Sequence, residues 1–333
     1  MSEKSPRSGV YTGGDPSSIG RRSLRYSVGH TREQIERPLV AIVNTWNEVH
    51  PGHCHLQRLA AKAKEGVLMA GGMPAEFNTI SLCDGLTIGH EGMRYVLPSR
   101  EIICDSVELT VQAHRYDAMV LIGSCDKIIP ALLMAAARLD LPAILVAGGP
   151  MYAGYIPQIG MRWGEAAQDE LAARFQRGEF TGDSIEEGAK CFYPCAGACS
   201  GMGTANTMAC LTEAVGMSLP GDGTAHATTA KKERLAVEAG IAVMALLEQG
   251  LTPSKIMTES ALDNMLRVNM AIGGSLNTVL HLPAIAHELG RTLAWERFDS
   301  ISRETPHLCC IEPSGPATLA ELEAAGGIPA VMQ

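Results

Sequence analysis

Carboxylates, thiols and imidazoles recur in this chain in short polar segments that directly follow apolar runs. The first is Asn44-Thr45-Trp46-Asn47-Glu48, leading to His53-Cys54-His55; the next is Cys83-Asp84-Gly85; the third is Ser124-Cys125-Asp126-Lys127. Charges placed beside a core need partners, so packing alone does not account for Asp84, Asp126, Lys127 and the Cys125 thiol in equivalent places. A second constellation, Cys191, Cys195 and Cys199, sets thiols at four-residue spacing in a loop of small residues just before a predicted helix. The spacing is not Cys-x-x-Cys, and the paired ligand sets that zinc prefers are missing from it. An iron–sulfur cluster with widely separated ligands fits better, with zinc and small buried thiols as the alternatives.

The elements that must position these groups are legible as an alternation. Pro38–Asn44, Ala118–Gly123 and Ala143–Ala147 are continuous apolar, β-branched runs of the kind buried on both faces of a sheet, and Ala75–Ser81 reads as a further strand. Helical spacing covers Leu56–Met69, Pro98–His114 and Ile129–Leu139 between them. Strand and helix in alternation predict an α/β fold with a parallel sheet flanked by helices, and such sheets bind ligands at the carboxyl ends of their strands. The polar segments fall at those ends. Residues 1–36 read as a polar, glycine-rich N-terminal arm and 37–150 as the α/β unit bearing the cluster and metal ligands. Residues 151–333 read as a helix-rich second half, with helices expected at Glu165–Gln176, Thr204–Met217, Lys231–Glu248, Pro253–Met270 and Leu276–Leu289. The closing run Ile328–Gln333 is apolar and reads as a domain boundary at which a fold is interrupted.

Composition narrows the function classes. Net charge is −9, from 27 basic and 36 acidic residues, and no long basic run exists, which argues against nucleic acid or an anionic membrane as partner. No stretch is long and apolar enough to span a bilayer and no secretory leader is visible, so a cytoplasmic address is expected. In a reducing compartment the 10 cysteines are metal ligands, catalysts or packing residues before they are disulfides. A nucleotide enzyme is not expected either. Gly201-Met202-Gly203 lacks the third glycine of the dinucleotide fingerprint and follows a cysteine loop, and no phosphate-loop lysine motif is present.

At these motifs the chain resembles the N-terminal part of the dihydroxy-acid and sugar-acid dehydratase family. The resemblance rests on Asn44–Glu48, Pro51-Gly52-His53, Phe77-Asn78-Thr79, Asp84–Met93, Leu97–Glu101, Asp105–Glu108 and Ser124–Lys127. It continues through Gly148–Met151, Gly197–Met202, Thr204-Ala205-Asn206 and Gly273–Thr278, and covers roughly Arg37 to the end. It implies elimination of water from a 2,3-dihydroxy carboxylic acid to give a 2-keto acid, with an iron–sulfur cluster and Mg²⁺ as cofactors. By motif match, Cys125 and Cys199 would be cluster ligands, and Asp84 and Asp126 magnesium ligands. Lys127 would be a carbamylated lysine completing the metal site. The segments Leu97–Glu101 and Gly89–Met93 favour the branched-chain amino-acid biosynthetic enzyme; a sugar-acid dehydratase, or a catalytically incomplete metal-binding fragment, are the alternatives. A homodimer acting on a small molecule is expected.

Two departures from the family pattern matter. Gly52 stands where the two-iron members carry their first cysteine, which favours [4Fe-4S] over [2Fe-2S] and leaves a third ligand to be found. Cys195 is favoured and Cys54 is the other candidate, with Cys191 weaker; Cys83 reads equally as a packing residue. The family's C-terminal domain, which would supply the catalytic base and a further metal ligand, is absent from these residues, so the chain alone is expected to be inactive. His50, His53 and His55 are expected to be solvated or supporting rather than zinc ligands. His90 and Glu91 would cap a helix or shape the pocket, and at least one of Cys309 and Cys310 would serve the core.

Overall fold

The computed structural model describes residues 6–162 and 165–333. The arm is more regular than its composition implies. After a 3-10 turn (Arg7–Tyr11) come α1 (Pro16–Ser27) and α2 (Arg32–Glu36). Asp15 accepts the Ser18 N–H with proline in the first turn, and Thr31 forms a reciprocal box with Gln34. The arm is pinned where Arg7 donates to the Tyr116 carbonyl at 2.9 Å and the Ser8 N–H to Asp117 at 3.1 Å. The other Asp117 oxygen accepts the Leu39 N–H at 2.8 Å, so the arm is held at the amino ends of the strands.

The sheet alternates with helices as expected: β1 (Leu39–Asn44), α3 (Leu56–Met69), β2 (Met73–Asn78), α4 (Asp84–Thr87), α5 (Ser99–Ala113), β3 (Ala118–Gly123), α6 (Ile128–Leu139) and β4 (Ala143–Ala147). Its order is β2-β1-β3-β4, with every pairing parallel. β2 begins two residues earlier than its sequence pattern implied and ends three residues sooner, because the ladder starts with Leu39 opposite Met73 and closes with Asn44 opposite Asn78. The central strands β1 and β3 and the edge strand β4 are buried on both faces; the other edge strand, β2, is only half buried.

Alternate residues feed two cores. Val40, Ile42, Val120, Ile122, Ile144 and Val146 face α3 and α10 (residues Ala230–Gln249, introduced below), and Leu39, Ala41, Val43, Met119 and Leu121 face α5 and α6. Beyond β4 come a short hairpin, β5 (Tyr155–Ile156) and β6 (Met161–Arg162), then α7 (Glu165–Gln176) and α8 (Gly182–Phe192). α9 (Thr204–Ala214), α10 (Ala230–Gln249), α11 (Pro253–Ile256), α12 (Glu259–Ala271) and α13 (Thr278–Glu288) follow. The chain closes with α14 (Trp295–Glu304), α15 (Leu319–Ala324) and α16 (Gly327–Val331).

The run expected as one helix from Pro253 to Met270 is two, because Thr258 turns extended and caps α12 by accepting the Ala261 N–H. α10 lies against α3 so closely that a Cβ on Gly66 would strike the Val237 carbonyl, and one on Gly240 the Ala63 carbonyl. α6 carries almost no polar residue because α5, α9, α13 and the sheet enclose it. Ile328, expected at an interruption of the fold, is wholly buried in the core on α16. The Lys232 ammonium on α10 meets the Asp222 carboxylate at 2.9 Å and the Asp222 carbonyl at 2.6 Å, and the second Asp222 oxygen accepts the Ala147 N–H at 2.8 Å.

Candidate metal centre at the strand ends

The loop after β1 is built around histidine. The Cys125 N–H donates to His53 Nε2 at 3.1 Å, which leaves the proton on Nδ1; that nitrogen donates to the Thr45 carbonyl at 2.7 Å. The Thr45 hydroxyl donates to the Ile122 carbonyl at 2.8 Å. A fully buried imidazole thereby ties the β1 loop to the end of β3 and fixes the backbone under the Cys125 thiol. Burial, reinforced by the neighbouring His50, holds the pKa of His53 well below its ordinary value. His55 donates from Nε2 to the Gly148 carbonyl at 2.9 Å. The histidines thus support the site and are not solvated. His50 accepts the Gly52 N–H at 3.2 Å through Nδ1, while its Nε2, like the Nδ1 of His55, is buried and makes no close hydrogen bond, the Leu82 main chain being its one weak contact. His90, as expected, caps a helical turn, accepting the Gly92 N–H.

The charged groups converge beside Cys125. Asp84 opens α4 directly after the β2 loop, and Asp126 and Lys127 follow β3. The Lys127 ammonium lies 3.4 Å from Asp84 and 3.4 Å from Asp126. One ammonium therefore serves two carboxylates. Burial, then the charge of Asp84, pushes the Asp126 pKa up to about 6. Burial also pushes Asp84 upward, but a hydrogen bond from Asp126 and the Lys127 charge outweigh it and bring Asp84 below its ordinary value. The Thr204 hydroxyl at the start of α9 also bonds Asp126. Ser275 meets that hydroxyl at 2.8 Å and the Asn277 amide donates to it at 2.8 Å. Two sequence-distant motifs thus brace one carboxylate.

The thiols lie next to these carboxylates. Cys125 Sγ is 3.8 Å from Asp84 Oδ1. A pocket of ≈ 130 Å³ is lined by Cys83, Cys125 and Cys199 together with His50, Leu86, Met151 and Tyr193. A hydrogen bond between Cys125 and Cys83 pushes Cys125 well above the ordinary thiol value, as does burial, and brings Cys83 down to about 7. Cys199 is open at the mouth yet crowded by protein, and that crowding, with Asp126 and Asp84, pushes it up to about 12. Main-chain bonds hold its loop: Ala198 N–H to Gly149 O at 2.9 Å, Met151 N–H to Ala198 O at 2.8 Å and Gly197 N–H to Pro51 O at 3.0 Å. Gly197 adopts φ +140, and a Cβ there would run into Met151 N.

Cys54 is exposed with its thiol 3.5 Å from the Pro51 carbonyl, and Cys191 directs its own at the Glu187 carbonyl. Neither they nor Cys195 are among the residues that line the pocket. Cys309 packs against the core, as expected of one of that pair.

Comparison with known proteins bears on this arrangement directly. The N-terminal model of the dihydroxy-acid/6-phosphogluconate dehydratases matches residues 37–333. The chain belongs to that family. Dihydroxy-acid dehydratase 1 of Methanosarcina acetivorans is 49% identical over 319 residues, covering 96% of this chain and 57% of its own length. The dihydroxy-acid dehydratase of Nitratidesulfovibrio vulgaris is 51% identical over 311 residues, 93% of this chain and 56% of that protein. That of Moorella thermoacetica is 49% identical over 311 residues, with 93% and 56% covered. The chain thus spans little more than half the length of the dehydratases it matches.

The fold brings Asp84, Cys125, Asp126, Lys127 and Cys199, the residues that the sequence motifs single out, to one place at the strand ends. Cys83, which the sequence reads equally as a packing residue, lines the pocket with them, and nearby lies His281, whose fully buried ring accepts from Arg100 at 3.2 Å through Nδ1. Burial, then the charges of Arg100 and Lys127, lowers the His281 pKa to about 3. Its only sequence signal was a histidine three residues after the Gly273–Thr278 motif.

Proposed function

We propose that this chain carries the iron–sulfur and magnesium half of a hydro-lyase that converts 2,3-dihydroxy carboxylic acids to 2-keto acids, in branched-chain amino-acid biosynthesis. The observation that carries the reading is the meeting of two donor sets at the carboxyl ends of the strands: hard oxygens from Asp84 and Asp126, and soft sulfurs from Cys125 and Cys199. Oxygen donors suit Mg²⁺ and thiolates suit an iron–sulfur cluster, with the four-iron form favoured by Gly52. When bound, the cluster and Mg²⁺ supply Lewis acidity toward the departing C3 hydroxyl and the carboxylate end of the substrate.

The protein's own groups make that chemistry local. His53 fixes the backbone under Cys125, and Thr204 with Asn277 fixes Asp126. Carbamylation of Lys127 would exchange its ammonium for an anionic oxygen pair. The ion triad would then become three anions, a set that a divalent cation balances. Leu86, Met151, Tyr193 and Ala198 give the pocket an apolar wall, which favours a branched aliphatic acid over a polyhydroxylated sugar acid. The proton acceptor for C2 we assign to a part of the enzyme outside these residues, since Ser200 and Ser275 lie in matching motifs but not in the motif of the base. The working protein is proposed as a cytoplasmic homodimer; among the described residues no helix is long and apolar enough to cross a membrane.

Anaerobically purified protein should be brown and contain iron and sulfide, and Cys125→Ser or Cys199→Ser should abolish both. Comparable iron in either variant would sink the cluster assignment. Lys127→Arg should keep the cluster spectrum but remove turnover in the complete enzyme, because a guanidinium is not carbamylated; retained activity would make the lysine an ordinary charge partner. Keto-acid formation from 2,3-dihydroxyisovalerate by the loaded 333-residue chain should stay at background. Turnover well above it would place the base within these residues.

A further inference from the structure

The pocket has three walls, and each presents one sulfur. Cys125 comes from the end of β3, Cys199 from the loop bonded to the Gly149–Met151 segment after β4, and Cys83 from the end of β2. Cys83 and Cys125 sulfurs and a ring nitrogen of His50 all lie within 4.8 Å of one another. Cys54 is exposed and engages the Pro51 carbonyl, and Cys195 lies outside the lining.

His50 gives an independent sign of what the pocket receives. Its side chain is 1% exposed, and Nδ1 is committed as acceptor of the Gly52 N–H, so in the neutral ring Nε2 carries the proton. That N–H makes no close hydrogen bond, its one weak contact being with the Leu82 main chain, so it has donor capacity to spare. A nitrogen holding its proton is a donor and not a metal ligand. The pocket therefore asks for an anionic acceptor bound to its thiols.

We propose that Cys83 is the third thiolate of the cluster, in place of Cys195 or Cys54, and that His50 donates its Nε2 hydrogen to a cluster or cysteinyl sulfur. This rests on the iron–sulfur reading above. As each Fe–S bond forms, the thiol S–H breaks, its proton passes to water and the sulfur lone pair binds iron, with no change of oxidation state. Three thiolates would hold three irons of a four-iron cluster and leave the fourth without a cysteine ligand.

The test compares Cys83→Ser, Cys195→Ser and Cys54→Ser in anaerobically purified protein by iron and sulfide content and the visible spectrum. Cys83→Ser should lose the brown band and fall to background iron, while the other two keep wild-type content. A second measurement guards against misfolding. In cluster-loaded wild-type protein, iodoacetamide should modify Cys54 and Cys195 and spare Cys83, as read by peptide mass spectrometry. Alkylation of Cys83 in loaded protein, or a Cys83→Ser protein as iron-rich as wild type, overturns the proposal while leaving the cluster reading standing. A wild-type protein that takes up no cluster overturns both. His50→Phe should retain iron but lower the cluster's reduction potential, because a hydrogen bond to sulfur stabilises the reduced state; an unchanged potential removes the donor role.

Discussion

Lys232 and Asp222 meet where no solvent reaches, and Lys127 meets Asp84 and Asp126 at the strand ends; the residue types are the same and the chemistry is opposite. At the first site one ammonium faces one carboxylate at 2.9 Å, with a carbonyl and the Ala147 N–H completing the set. At the second, one ammonium is stretched between two carboxylates at 3.4 Å each, beside thiols and an imidazole N–H that makes no close hydrogen bond. A charged site that serves the fold closes its own hydrogen bonds. One that serves a ligand leaves charge and donors uncommitted, and structure elsewhere must hold it in place.

The sharpest way to break this contrast is to unbalance the closed site. Lys232→Met leaves Asp222 buried without its cation and should destabilise the protein by about 3–5 kcal/mol in denaturant unfolding. A loss below about 1 kcal/mol would mean that water or another group reaches Asp222. The next effect in size comes from acid. His281, beside the open site, has its pKa lowered from 6.5 to about 3, so the unfolded chain takes up the proton first. Stability is therefore full above pH 6.5 and falls as pH drops from there toward 3. By pH 5 the loss is on the order of 2 kcal/mol, and His281→Gln should flatten that part of the profile. An equally steep profile in the variant would move the acid sensitivity to the other buried histidines.

The smallest stability effect is expected where the charge is most crowded. Asp126→Asn removes one of two competing carboxylates and should change stability by less than about 1 kcal/mol. It should nevertheless abolish any rise in Tm caused by added Mg²⁺, since a neutral amide gives up the anionic oxygen. A large loss of stability in this variant would show that the strand-end charges hold the fold together after all.

The parts of this molecule readable in the sequence are those whose environment is uniform along the chain. β1, β3 and β4 are buried on both faces, so each is an unbroken apolar run; α3, α7 and β4 fall where their patterns end. β2 lies at the sheet edge, mixes Glu76 and Asn78 with apolar residues, and its start depends on pairing with β1. α8 and α14 segregate polar from apolar residues but carry few apolar ones, so neither stands out in the sequence; the break before α12 turns on the backbone of Thr258. In the site, Asp84, Asp126 and Lys127 stood out because charge beside a core demands an explanation. Cys83 did not, since a thiol suits a core or a metal equally well, and only the fold reveals that three loops bring it to one pocket with Cys125 and Cys199. Cys195 and Cys54 lay in attractive local spacing, but the chain turns their sulfurs out of the pocket's lining.

The loop that presents Cys199 is fastened through the main chain: Ala198 to Gly149 and Met151, and Gly197 to Pro51. None of those bonds involves a sulfur. Its shape is thus set during folding and owes nothing to what its thiol later holds, unlike small domains in which the metal is the nucleus. Under the proposed cluster reading, the polypeptide would fold first and receive the inorganic part afterwards, and iron-free protein should already resist limited proteolysis as the loaded protein does.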